Sequence, residues 1–254
     1  MEFDRRKIRE ISSRAEVFLL DLIFPIECLA CGASGRWICP ECFRKIRILA
    51  GQTCFVCKRE NIFGRFCRSC RVDYALDGIW LATDYEQKLV AAAIKNLKYR
   101  FVKDLSADLA KVLALFLRQM ADLRPEQKSP KTLSDLNRIL VTPVPLHPRR
   151  LRWRGFNQAG LIAEKLAGIL GCSYGDHVLV RSKYTAPQTK LDEAERRSNI
   201  KNCFALAPGA QSIKDRSIVL VDDVITTGAT VEECAKVLKC AGAREVYALA
   251  IAKG

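Results

Sequence analysis

The chain has 254 residues, is 49% hydrophobic and 28% charged, and carries a formal charge of +14. That length gives room for one generous domain, or one domain with a small module, and the balance reads as globular and soluble. The excess of positive charge favours polyanions such as nucleic acid or polyphosphate, without saying anything about sequence specificity.

The longest apolar run near the start, Val17 to Phe24, is short and interrupted by Asp21, so no membrane-spanning segment is expected. The region upstream mixes acids with bases and no small-residue cleavage site follows, which argues against a signal peptide. A cytoplasmic location is expected, and a reducing compartment turns paired cysteines toward metal rather than disulfides.

In chain order, Ile8, Ile11, Ala15, Phe18 and Leu22 form the apolar stripe of an amphipathic helix over residues 3–23, which Pro25 ends. Such a stripe could dock a partner or a membrane surface, but packing on its own protein is the commoner use. Eight of the twelve cysteines follow as four C-x2-C pairs: Cys28 and Cys31, Cys39 and Cys42, Cys54 and Cys57, Cys67 and Cys70. Each pair offers two thiolates from one tight knuckle, and two knuckles close a tetrahedral four-sulfur zinc site. Two structural Zn²⁺ are therefore expected, and short loops favour pairing the first four and the last four cysteines. Counting eight thiolates around two Zn²⁺ lowers the charge to about +10. Domain boundaries are expected at 1–24 for the helix, 25–75 for a double zinc ribbon and 76–254 for the main domain.

Asp77 to Tyr85 reads as a strand, and Gln87 to Leu97 and Leu105 to Met120 as helices. Lys95, Lys98 and Arg100 beside Tyr99 and Phe101 make a basic-aromatic cluster that suits a base or phosphate, or equally a solvated helix end. Residues 121–137 are polar, with Pro125 and Pro130, and read as a loop or an insertion. Arg138 to Val144 is a β-branched run expected to be a buried strand. A basic loop follows it, with Arg149, Arg150, Arg152 and Arg154 around Trp153. Guanidinium forks suit pyrophosphate or nucleic acid, and an aromatic ring can stack on a base. Asn157 is placed to cap a helix running to Leu170. Asp176 to Val180 reads as a short strand, and Thr185 to Asn199 as a polar loop over a site.

The most informative stretch runs from Val219 to Thr230. An apolar strand over Ile218 to Val221 meets two acids, Asp222 and Asp223, and the hydroxyl-rich turn Thr226, Thr227, Gly228, Ala229, Thr230 leads into a helix. Free N–H groups at a helix start, with a glycine and hydroxyls, make a phosphate cradle, and the paired acids suit sugar hydroxyls. No lysine follows Gly228, so the stretch is not a Walker loop. A closing strand is expected over Glu245 to Ile251, and strands alternating with helices predict a parallel α/β sheet. His147 and His177 lie far apart and assemble no nucleophilic triad. The four remaining cysteines, Cys172, Cys203, Cys234 and Cys240, read as packing residues.

The stretch around Asp222 resembles the phosphoribosyl-pyrophosphate (PRPP) motif of type I phosphoribosyltransferases. Together with the cysteine knuckles, Pro143-Val144-Pro145 with Arg154 to Gln158, and Gln188 with Arg196 and Asn199, the chain resembles the ComF/GntX family. These are phosphoribosyltransferase-like proteins linked to DNA uptake in competent bacteria. The resemblance implies a type I phosphoribosyltransferase-like fold in which Asp222 and Asp223 contact ribose hydroxyls and would be the catalytic pair of an active enzyme. Thr226, Thr227, Gly228, Ala229 and Thr230 would hold the 5′-phosphate, Arg149 to Arg154 would meet pyrophosphate, and Mg²⁺ would bridge pyrophosphate and ribose. It also implies single-stranded DNA and DNA-uptake or recombination proteins as partners. The alternative is a phosphoribosyltransferase acting on a base or amine acceptor in nucleotide metabolism.

Overall fold

A computed structural model describes residues 25–61, 63–122, 136–183 and 200–254. The helix expected at 3–23 and the segment containing Gln188, Arg196 and Asn199 lie outside the described residues, as does most of the connection expected at 121–137. The chain divides into a compact unit ending at Ile46 and a larger one over Arg47–Gly254. The division falls between the two cysteine quartets, so the second quartet belongs to the same unit as the sheet.

In the first unit the sulfurs of Cys28, Cys31, Cys39 and Cys42 all lie within 4.8 Å of one another, with Cys31 and Cys39 at 3.6 Å. Sulfurs about 2.3 Å from a tetrahedral zinc sit about 3.8 Å apart, so the quartet fits that ion. Cys39 caps the short helix α1 (Pro40–Arg44) through its sulfur, which accepts from the Cys42 N–H at 3.4 Å. The Cys39 N–H in turn donates to the Cys28 sulfur. Burial alone would raise the Cys28 thiol, but this and other N–H donors outweigh it and bring Cys28 down to about 6. Cys42 is pushed up to about 12, first by sharing its proton with Cys39 and then with Cys31. Four thiolates at one point repel one another, and a divalent cation removes that cost.

In the second unit Cys54, Cys57, Cys67 and Cys70 make an equivalent quartet, with the Cys57 and Cys67 sulfurs 3.5 Å apart. The pairing is sequential in both quartets, as the loop lengths predict. Helix α2 (Arg68–Arg71) ends this ribbon.

The ribbon leads directly into a five-stranded sheet. In chain order the strands of this unit are β1 (Gly78–Asp84), β2 (Ile139–Pro143), β3 (Ser173–Tyr174), β4 (Leu179–Arg181), β5 (Phe204–Leu206), β6 (Ser217–Ile225) and β7 (Glu245–Lys253). The main sheet is parallel throughout, in the order β1-β7-β6-β2-β3. The helices are α3 (Lys88–Tyr99), α4 (Leu105–Asp122), α5 (Pro148–Arg154), α6 (Gln158–Leu170) and α7 (Ala229–Cys240). Ile218, Leu220, Val246 and Ala248 share a core cluster with Val231, Cys234 and Leu238 of α7. The period-2 alternation of a strand sends Val219, Val221, Tyr247 and Leu249 to the other face, where α4 and α6 pack on the sheet. Among the described residues, no helix is long and apolar enough to cross a membrane.

The second ribbon is fastened to this sheet by a network around Asp77, which is 4% exposed. Its carboxylate accepts from Arg71 Nη2 at 2.5 Å, Lys239 Nζ at 2.7 Å and the Val246 N–H at 2.8 Å. The backbones close up as well. A Cβ on Gly78 would lie 2.5 Å from the Gly64 carbonyl oxygen, so only glycine lets the ribbon pair against β1 there.

Two sequence expectations need correction. The strand read at Asp176 to Val180 begins only at Leu179 and runs to Arg181. Ser173–Tyr174 adds to the main sheet beside β2, and Leu179–Arg181 pairs antiparallel with β5, with Asp176 in the turn between them. A short apolar run does not say which partner it will find. The arginine stretch is a helix, α5, rather than a loop. His147 Nδ1 accepts from the Arg149 N–H at its start, and Pro148 sits at the first helical position, where its missing N–H costs nothing.

Elemental analysis of the purified protein should find about two equivalents of zinc, and stripping the metal with a chelator should lower the unfolding temperature. One equivalent would mean that one quartet is not a zinc site.

Candidate functional site

The site is built where β2 stops and β6 does not. The pairing of β2 with β6 ends at Pro143 beside Val221, while β6 continues against β7 through Asp222, Val224 and Ile225. The strand therefore runs through the acids instead of ending before them, as the apolar run alone had suggested. One edge of Asp222 to Ile225 is left open at the carboxyl end of the sheet, the usual place for a ligand in open α/β folds. The cleft there measures about 470 Å³.

Adjacent strand residues point to opposite faces, so the two acids have different surroundings. Asp223 is 3% exposed, and its Oδ1 accepts from Lys98 Nζ at 2.8 Å. Its Oδ2 is buried without a hydrogen-bond partner among the described residues, an orphan acceptor at the cleft that a ligand hydroxyl can satisfy. Burial alone would lower the Lys98 ammonium, but Asp223 in contact holds it above its ordinary value. Asp222 is half-buried and accepts the Asp223 N–H at 2.8 Å. Burial first, and the neighbouring Asp223 charge second, raise its carboxyl to about 7.

The turn after β6 leads into α7. Gly228 caps that helix with φ +80°, and a Cβ there would approach Ile79 and the ring of Phe55 to 3.3 Å. The Ala229 N–H points to Thr227 Oγ1 at 3.4 Å. The N–H groups of the first helical turn have no intrahelical acceptor and carry the positive end of the helix dipole.

Opposite the acids stand the guanidiniums. Arg150 and Arg154, four residues apart on α5, line the cleft, whereas Arg149 and Arg152 face solvent. The four arginines of the sequence motif thus fall into two pairs with different surroundings. Arg154 Nη1 donates to the Gln158 side-chain oxygen, and Asn157 caps α6 as expected, accepting from the Ala159 N–H at 3.1 Å. Arg181, a residue the sequence reading passed over, joins the cleft from β4. Burial lowers it first and Arg150 adds to the effect; Arg154 is lowered by burial although Asp223 opposes this. Crowded cations in a half-buried cleft make an anion welcome.

All five loop residues and both acids thus meet at one cleft with two of the four arginines. Lys98 belongs to it too, and its sequence signal was the basic-aromatic cluster at the end of α3. Arg181 gave no signal, because a single arginine on a short strand has no local pattern. His147 acts as a helix cap, and His177 lies beside Asp176 at 3.3 Å.

Residues 154–254 match the model of the phosphoribosyl transferase domain, and residues 19–71 that of the double zinc ribbon domain. Competence protein F of Haemophilus influenzae is 28% identical over 236 residues, 91% of this chain and 98% of the relative. DNA utilization protein YhgH of Salmonella typhimurium is 34% identical over 167 residues, 65% of this chain and 66% of that protein. Competence protein ComFC of Bacillus subtilis is 28% identical over 203 residues, 79% of this chain and 77% of the relative.

The raised Asp222 carboxyl has a consequence for stability. A folded-state value of about 7 against an ordinary 3.8 means that folding favours the protonated form, so this contribution is lost as pH rises from about 4 through about 7. Asp222→Asn should therefore stabilise the fold by roughly 1–3 kcal/mol at pH 8 and by less at pH 5. Urea unfolding at the two pH values checks this; equal effects at both would show that Asp222 is ionised throughout.

Proposed function

Because this chain belongs to the ComF family, with a double zinc ribbon ahead of a phosphoribosyltransferase domain, we propose that it binds PRPP with Mg²⁺ and works with single-stranded DNA in DNA uptake. The observation that carries the reading is the meeting of three chemistries around one cleft: an acid pair, a hydroxyl-rich helix start and a set of guanidiniums. Asp222 and Asp223 take the ribose hydroxyls, and the orphan Oδ2 of Asp223 supports that role. Thr226 to Thr230 cradle the 5′-phosphate. Arg150, Arg154 and Arg181 face the pyrophosphate. A Mg²⁺ ion taken up with PRPP would add positive charge against the pyrophosphate beyond what Arg150, Arg154 and Arg181 supply.

Single-stranded DNA is supported by a second set of side chains beside the cleft. Trp153 is 66% exposed and Tyr99 61%, and Phe101 stands edge-on to Trp153 with ring centres 5.9 Å apart. Arg154 lies over both Tyr99 and Trp153 at about 6 Å. Exposed rings with exposed Arg149 and Arg152 beside them combine base stacking with phosphate contact, the pairing used for single strands. The names of the relatives, two competence proteins and a DNA utilization protein, support the DNA-uptake setting; a cytoplasmic location, with DNA-uptake or recombination proteins as partners, is part of the same proposal. The second reading, a phosphoribosyltransferase that transfers to a base or amine, is favoured by the domain match over residues 154–254.

The zinc-loaded protein should bind PRPP in the presence of Mg²⁺, and Asp223→Asn should weaken this by about tenfold or more, as expected for a lost charge-assisted contact. Calorimetry measures the binding, and a pyrophosphate assay with a panel of bases and amines separates the two readings. Release of pyrophosphate would favour the enzyme; no PRPP binding would sink both.

For DNA, affinity for an oligonucleotide should fall steeply with salt, and the double variant Arg149→Ala/Arg152→Ala should reduce the slope of log affinity against log salt by about two. An unchanged slope would remove these arginines from the DNA contact.

A further inference from the structure

The second cysteine quartet touches the same core as the helix that starts at the cleft. Cys54 is fully buried and shares a core cluster with Ile79 of β1 and with Val231 and Cys234 of α7, and Phe55, Cys67 and Cys70 pack against that cluster. Phe55 stands between the ligands Cys54 and Cys57. Its ring comes within 3.3 Å of the point where a Cβ on Gly228 would lie, and Gly228, at φ +80°, is the residue from which α7 starts. The knuckle that carries two of the four sulfurs thus seats its ring on the turn.

The other knuckle reaches the same helix. The segment leaving Cys70 gives Glu232 two hydrogen bonds, from the Ala75 N–H at 2.7 Å and the Leu76 N–H at 3.2 Å, and Glu232 is itself buried. The Glu232 N–H donates to the Gly228 carbonyl at 2.9 Å, closing the first turn of α7. All of these ties lie in the larger unit, whereas the first quartet lies in the other.

What a metal does to these ties follows from the sulfurs. All four lie within 4.8 Å of one another, which fits a zinc that draws both knuckles to one point. Without it, only weak sulfur contacts such as that of Cys57 with Cys67 join the knuckles, and the Phe55 ring loses its anchor on the ribbon side. A phosphate needs the N–H groups at the start of α7 in fixed positions, so its affinity depends on which of the two arrangements is populated.

We propose that zinc in the second quartet and a phosphate-bearing ligand on the Thr226–Thr230 turn bind cooperatively, through Phe55 and Glu232. Loss of this one metal weakens the ligand site, and the metal of the first quartet takes no part. This rests on the reading of the first cleft as the ribose-phosphate site. Such coupling is reciprocal: PRPP tightens the second zinc by the factor by which that zinc tightens PRPP.

The test uses the full zinc-loaded chain with PRPP and Mg²⁺. Zinc is titrated at equilibrium against a chromogenic chelator, which the exposed Cys57 leaves room for, with and without saturating PRPP. One zinc equivalent should be held about fivefold to tenfold tighter when PRPP is present, an ordinary size for allosteric coupling, and the other should be unchanged. Cys57→Ser/Cys67→Ser should carry a single equivalent and lose PRPP affinity by the same factor in calorimetry. Should that variant unfold, Phe55→Ala decides. It keeps every cysteine and should still load both quartets, yet it should bind PRPP about fivefold more weakly, and PRPP should no longer tighten either zinc. Amide exchange carries the signature of a brace: in Phe55→Ala the Glu232 N–H should exchange faster, while those of Val219 and Leu220 in the sheet stay protected. In a chain that binds PRPP, equal zinc affinity with and without it, or parent-like PRPP affinity in Phe55→Ala, would overturn the proposal and leave the reading of the cleft intact. A fully loaded chain that binds no PRPP would overturn that reading, and the coupling with it.

Discussion

A β-strand sends neighbouring side chains to opposite faces, and β6 carries two carboxylates side by side. Neither can share the other's environment, and neither can leave the sheet, because pairing with β7 continues past both. Each charge is therefore handled on its own side. Asp223 has Lys98 against one oxygen, and Asp222 holds a proton up to about 7. The rest of the cleft follows from this constraint. A helix end must bring Lys98 in on one face, β2 must stop at Pro143 to leave the edge open, and the guanidiniums must come from α5 and β4 across the gap. Two ionised acids without these neighbours would be an expensive thing to fold.

The second constraint is mechanical. Helix α7, which starts after Gly228, is tied at both ends to the segment leaving the second zinc ribbon. Near its start, Glu232 accepts from Ala75 and Leu76; near its end, Lys239 reaches Asp77. Phe55, between two zinc-ligand cysteines, abuts Gly228. The Thr226–Thr230 turn is thereby braced before any ligand arrives, and a loop already ordered loses less entropy on binding.

Much of the fold was readable because its signals are local. The cysteine spacing fixed the sequential quartets, and the apolar runs found β1, β2, β6 and β7 to within a few residues. Asn157 was recognisable as a cap because its side chain acts two residues away. The acids and the Thr/Gly turn were legible as a motif for the same reason. What escaped the sequence reading depends on distant pairing. Whether β6 stops before Asp222 or runs past it depends on β7, which extends to Lys253. Whether Arg149 or Arg150 faces the cleft depends on α5 being a helix, and the proline-rich approach concealed that. Lys98 looked like one of several lysines at a helix end; only its approach to Asp223, 125 residues later in the chain, makes it part of the site.

The fastening at Asp77 also bears on how this protein can be divided. A cut after residue 75, the natural border by sequence, would separate Arg71 from Asp77 and expose the face of β1 against which Gly64 lies. It would also free Glu232 of one of its backbone partners. The ribbon is less an appendage than the missing edge of the sheet's own domain. A shortened chain that keeps the Thr226–Thr230 turn in this shape must begin ahead of Cys54, because the turn is braced in part by the ribbon built on the second cysteine quartet.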